Sequence, residues 1–196
     1  MSLGSWTLTF DVESLGLYGD AFAVGAVIHN HLGEEMGTLF EHCPHTATKE
    51  ASLDLSDPRN RSEWIVKNVV PVLKTPASCK NPREIRDKFW KFYREWIMIA
   101  KNLKMKLDVV VDAGYPVETN FLRECVGDSF EERQYEGPYP LQEVQTAIKL
   151  AGYTKENERL AGEEPAHHPL ADSRQSARIW RECNNMLVRD DLDGKK

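Results

Sequence analysis

Residues 6–12 (WTLTFDV) set aromatic and β-branched side chains beside polar ones, the signature of a β-strand. Residues 20–31 (DAFAVGAVIHNH) and 36–41 (MGTLFE) read as two more strands, and the Asn30 and Gly33 turn signals join them as a hairpin. Residues 58–63 (PRNRSE) start a short helix that ends before Pro71. Pro82 opens a longer helix, where Ile85, Phe89, Phe92, Trp96, Ile99 and Leu103 recur at spacings of three and four. Residues 107–111 (LDVVV) form a short, mostly apolar strand of the buried type. Helices follow over 117–126, around Leu141, Val144, Ile148 and Ala151, and, after a polar loop, over 172–187. Residues 191–196 read as a frayed tail. Three strands, helices, a buried strand and further helices predict an α/β chain around a mixed sheet with an antiparallel start. No repeat or boundary divides residues 6–190, which read as one domain.

Composition narrows the class. The chain has 196 residues, 41% apolar and 29% charged, enough for an independent core. Lys and Arg total 25 against 31 Asp and Glu, so the net charge of −6 argues against a broadly basic nucleic-acid coat. It does not argue against an enzyme built around carboxylates. Residues 80–106 run the other way, with nine basic and three acidic residues and the aromatics Phe89, Trp90, Phe92, Tyr93 and Trp96. Such interleaving suits single-strand binding, although the helical stripe assigns most of those rings to the core. Cys43, Cys79, Cys125 and Cys183 form no C-x-x-C pair and read as reduced thiols. Residues 1–5 (MSLGS) have neither the basic nor the apolar part of a signal peptide and read as leftover cloning sequence; no run approaches the ~18 apolar residues of a membrane span. A cytoplasmic protein is expected. His42-Cys43-Pro44-His45 lacks a second ligand pair at zinc-finger spacing and reads as a strand end.

Three segments carry candidate chemistry. Asp11 and Glu13 sit at i and i+2 near the end of the first strand, so both carboxylates face one side. They are either two solvated acids or a pair awaiting a hard cation such as Mg²⁺ or Mn²⁺. In Asp112 to Leu122 (DAGYPVETNFL), Asp112 follows the buried strand and Glu118 opens the next helix. In His167-His168-Pro169-Leu170-Ala171-Asp172, the acid falls in the first helical turn, where the macrodipole favours it in any role.

In combination and in this order the three segments resemble the motifs of the DEDDh branch of 3′–5′ exonucleases, a family that includes ribonuclease T, oligoribonuclease and proofreading exonuclease subunits. TFDVESLGLYGDAFAVGAVI resembles the first motif, VVVDAGYPVETNFL the second and HHPLADSRQSARIW the third. The resemblance implies a ribonuclease H-like fold, with a central mixed sheet of about five strands flanked by helices. It implies two Mg²⁺ or Mn²⁺ ions held by Asp11, Glu13, Glu118 and Asp172, with Asp112 competing for the place of Glu118. The family's third acid is normally Asp, so Glu118 is a departure. His167, five residues before Asp172, matches the family's general base. Ser14, Leu15, Gly16 and Leu17 would meet the terminal nucleotide, with Leu15 or Leu17 as a wedge against its base or, equally, as a core residue. The implied activity is hydrolysis of RNA or DNA from the 3′ end to nucleoside 5′-monophosphates. Many relatives are homodimers, so a second copy is a candidate partner. The alternatives are a non-catalytic nucleic-acid or nucleotide binding module on the same fold, or a phosphoesterase of small nucleotides.

Overall fold

The computed structural model describes residues 5–49, 62–155, 158–160 and 165–192. The expected helix start at 58–61, most of the segment 1–5 and residues 193–196 of the tail lie outside them. Five strands form one mixed sheet: β1 (Ser5–Ser14), β2 (Ala21–His29), β3 (Glu35–His42), β4 (Lys106–Val111) and β5 (Leu141–Glu143), in the order β3-β2-β1-β4-β5. β1 pairs antiparallel with β2 and parallel with β4, β2 pairs antiparallel with β3, and β4 pairs parallel with β5. The α helices are α1 (Ser62–Asn68), α2 (Pro82–Asn102), α3 (Val117–Gly127), α4 (Phe130–Arg133), α5 (Val144–Ala151) and α6 (Pro169–Leu192). Among the described residues no helix is long and apolar enough to cross a membrane.

β1 is central, and each of its faces meets a helical layer. Leu8, Phe10 and Val12 point to one side, where the Phe10 ring lies 5.0 Å from Phe89 of α2 and 6.4 Å from Phe121 of α3. The alternate residues Thr9, Asp11 and Glu13 point to the other side. There Asp11 stands opposite Gly25 of β2, and α6 crosses close above. A Cβ on Gly25 would lie 2.1 Å from the Leu170 backbone nitrogen, so only glycine admits the start of α6. Ser173 secures the contact by donating its hydroxyl to the Gly25 carbonyl at 3.0 Å. A smaller core of Val110, Val144, Ala147, Ile179 and Cys183 then seals α5 and α6 onto β4.

The structure corrects several expectations. Leu141 belongs to β5, not to a helix; three residues of strand are too short to show a period. The buried face of α2 runs through Ile85, Phe89, Trp90, Tyr93 and Ala100, and Leu103 is exposed beyond the helix end. The stripe is shifted because Trp96 covers the sheet edge, stacking edge-on to Trp6, while Tyr93 reaches inward to donate to the Glu136 carbonyl at 2.7 Å. α6 begins at Pro169, three residues before the expected start, and runs on to Leu192 through residues read as tail.

Candidate metal centre

The parallel strands β1 and β4 end side by side, and the sheet order reverses direction there, a place where open α/β sheets collect functional groups. Asp11 and Glu13 come from β1. Glu118 comes from the first turn of α3 and Asp172 from the first turn of α6. A His167 ring nitrogen and carboxylate oxygens of Glu13 and Asp172 all lie within 4.8 Å of one another. Glu118 is buried.

Burial removes water from these acids and their mutual repulsion does the rest. Asp11 is pushed well above the ordinary carboxylate range, first by burial and then by Glu13, Glu118, Asp172 and Asp112. Glu13 is pushed up to about 8 by burial, with Asp172 and Glu118 adding to it. Glu118 rises to about 7, again chiefly by burial; the nearby backbone N–H groups of Glu118 and Val12 hold it down while Asp112 and Glu143 push it up. Such a cluster ionises fully only with a cation in its midst. The carboxylate oxygens are hard donors that suit Mg²⁺ or Mn²⁺, and the imidazole beside them is a borderline donor.

The open pairs of the sequence separate clearly. Asp112 is exposed and accepts from the Gln145 side chain at 3.0 Å, whereas Glu118 is enclosed among the acids. His167 is exposed beside the cluster, and its backbone N–H donates to Asp172 at 2.8 Å. Its backbone is left-handed, with φ +68°, and its ring meets Trp64 of α1 edge-on at 5.0 Å. His168 instead turns inward and packs on Phe40 at 4.4 Å. Leu15 is 3% exposed and belongs to the core; Leu17 is 59% exposed and remains outside. Ser14 is buried and donates its hydroxyl to the Gly16 carbonyl at 2.7 Å, which fixes the turn. His42 bonds Thr75, and no zinc-type group forms around it among the described residues.

Sequence reasoning missed Gly25, Arg159 and Trp64. A glycine inside a strand is a signal of close approach, and Gly25 was legible on that ground. Arg159, which forms an ion pair with Asp172, sits in a polar loop with no spacing to mark it. Its segment is tied to α6 where Arg178 donates to the Glu158 carbonyl at 2.8 Å. The basic stretch 80–106 proves largely occupied: Arg86 pairs with Asp128 and Glu124, Lys88 with Glu41, and Arg94 with Glu136. Comparison with models of known protein families finds no match for this chain, and comparison with curated proteins finds none.

Proposed function

We propose that this protein is a metal-dependent 3′–5′ exonuclease of the DEDDh type on a ribonuclease H-like fold. The observation that carries the reading is the meeting of Asp11, Glu13, Glu118, Asp172 and His167, drawn from three separate segments, at one end of β1. The strand order, with an antiparallel hairpin on one side of β1 and parallel strands on the other, is compatible with that fold.

The four acids would hold Mg²⁺ or Mn²⁺, which when bound supplies positive charge to a scissile phosphate and acidity to a water. Glu118 is buried and Asp11 half-buried, so both carboxylates sit in a partly water-excluded site where a cation's charge acts strongly. His167 accepts the proton of the attacking water, a role that suits an imidazole near neutral pH. Asp172 positions it by accepting the His167 backbone N–H. Attack at the last phosphodiester releases a nucleoside 5′-monophosphate and leaves a shortened 3′ end.

Purified protein with Mn²⁺ or Mg²⁺ should shorten a 5′-labelled single strand of RNA or DNA stepwise, and Asp11→Asn should abolish this. Intact strands with the wild type, or undiminished cleavage by Asp11→Asn, would overturn the reading. One observation favours the second reading of a non-catalytic binding module: Arg159 already offers a cation to Asp172. Calorimetry separates the two, because a module binds nucleic acid without ion-dependent turnover.

A further inference from the structure

At the far end of the sheet from the acids, a polar cavity of about 360 Å³ lies between the strands and the second half of α6. Strand register sets its floor. His29 of β2 stands opposite Thr7 of β1, and Thr7 stands opposite Asp108 of β4. Residues paired in this way face the same side of a sheet. Ser5 and Lys106 form a further pair of that floor. Trp180 and Arg181 of α6 close it from above. Thr7 precedes Asp11 by four residues, about 13 Å along β1, so the cavity is separate from the acid centre.

The β2–β3 hairpin sets Arg181 in place. Asn30 closes the turn by accepting the N–H groups of Leu32 and Glu34 at 2.9 and 3.0 Å. Gly33 adopts φ +83°, and a Cβ there would lie 2.3 Å from Arg181 Nη1, so glycine leaves the space that the guanidinium fills. Among the described residues that guanidinium makes one long hydrogen bond, to the Gly33 carbonyl at 3.4 Å. Most of its N–H donors are unspent. The Nδ1 atom of His29 is enclosed and has no hydrogen-bond partner among the described residues. An N–H at that atom would be left unpaired, so the proton sits on Nε2 and the ring donates from that side. Burial first and then Arg181 and Arg174 keep the ring below the ordinary imidazole range, with Glu35 opposing them. Asp108 is answered by Lys106 at 2.7 Å and Glu35 by Arg174 at 2.9 Å. Arg181 is thus the charge left over at this end among the described residues.

We propose that this cavity is a second ligand site, for a small phosphate monoester that also carries hydroxyl groups. The fork of Arg181 suits two phosphate oxygens, and the Ser5 and Thr7 hydroxyls and His29 Nε2 add neutral donors. A carboxylate, with two oxygens, leaves part of this donor set unused. Beyond the phosphate, Asp108 accepts from hydroxyls, as does the Asn184 side-chain oxygen, whose amide nitrogen already donates to the Trp180 carbonyl at 2.8 Å. The volume is at the low end of what encloses a small organic molecule, which suits a monomer and not a strand. Sugar phosphates and nucleoside monophosphates share this chemistry.

The test is calorimetry with EDTA present, because without metal the acid centre repels phosphate. The probes are ribose 5-phosphate, adenosine 5′-monophosphate, ribose and inorganic phosphate. At least one monoester should bind about tenfold more tightly than ribose or inorganic phosphate. Arg181→Gln should weaken that binding about tenfold, and Thr7→Val several-fold, with unchanged circular dichroism. Asp11→Asn should bind as wild type does. Tighter binding of ribose 5-phosphate identifies a sugar-phosphate site, and tighter binding of adenosine 5′-monophosphate a nucleotide site. Failure of both monoesters to bind, or affinity no better than that for inorganic phosphate, overturns the site. Full affinity in Arg181→Gln or, should that variant unfold, in Thr7→Val overturns it as well. Loss of binding in Asp11→Asn also overturns it, since the ligand then sits at the acids.

Discussion

Glu13 carries the physics of the centre at the scale of one residue. Its carboxyl is raised from 4.5 to about 8 because burial and two neighbouring acids disfavour its charge. In metal-free protein the native state therefore holds a proton that the unfolded chain has released. The stability this contributes is full below about 4.5 and is lost as pH rises toward 8. The melting temperature of chelator-treated protein should fall across that interval, and saturating Mn²⁺ should remove most of the fall. A flat profile without metal would show that the acids are not enclosed together. Arg159 works in the opposite sense at Asp172. Arg159→Met should tighten Mn²⁺ binding several-fold by calorimetry and lower the metal-free melting temperature, since an internal cation is lost. The spacing to Asp172 singles out His167 over His168, and the structure packs His168 on Phe40 while the His167 backbone N–H donates to Asp172.

Elements bring these residues together through a few specific contacts. α6 reaches the acids only because β2 has no side chain at Gly25. Gly25→Ala should displace the first turn of α6 and with it Asp172, costing roughly 1–3 kcal/mol by thermal melting. It should also weaken Mn²⁺ binding, with normal binding counting against this account. α2 is fastened to α3 and the turn after it by Arg86, whose guanidinium donates to Asp128 at 2.6 and 3.1 Å and to Glu124 at 3.1 Å. Its side chain is 11% exposed. Arg86→Ala should destabilise by roughly 3 kcal/mol in urea unfolding, because Glu124 loses this partner and the largely enclosed Asp128 is left with Arg83. The long strands and α2 were legible because their apolar residues repeat over many positions. β5 and α4 were not, at three and four residues, since neither completes enough repeats to declare a period.

Across the whole molecule, charge is spent internally. The chain carries −6, and the basic face of α2 binds acids of β3, α3, α4 and the loops around them. Affinity for nucleic acid should therefore grow little with strand length, and the salt slope should correspond to few phosphate contacts. Titrations over a length series would check this, and a slope that steepens with length would refute it. By itself the sequence determined the α/β class, the hairpin, the helices α2, α3 and α6, and the shared face of Asp11 and Glu13. All of these follow from side-chain periods of two or 3.6 residues, which are local. The tertiary structure alone showed that Glu118 is buried and Asp112 exposed, that His168 packs on Phe40 while His167 is exposed beside Asp172, and that Leu15 is in the core and Leu17 outside it. In each pair both members are chemically suitable, and only the packing of helices on the sheet determines which is buried, which faces water and which meets the acids.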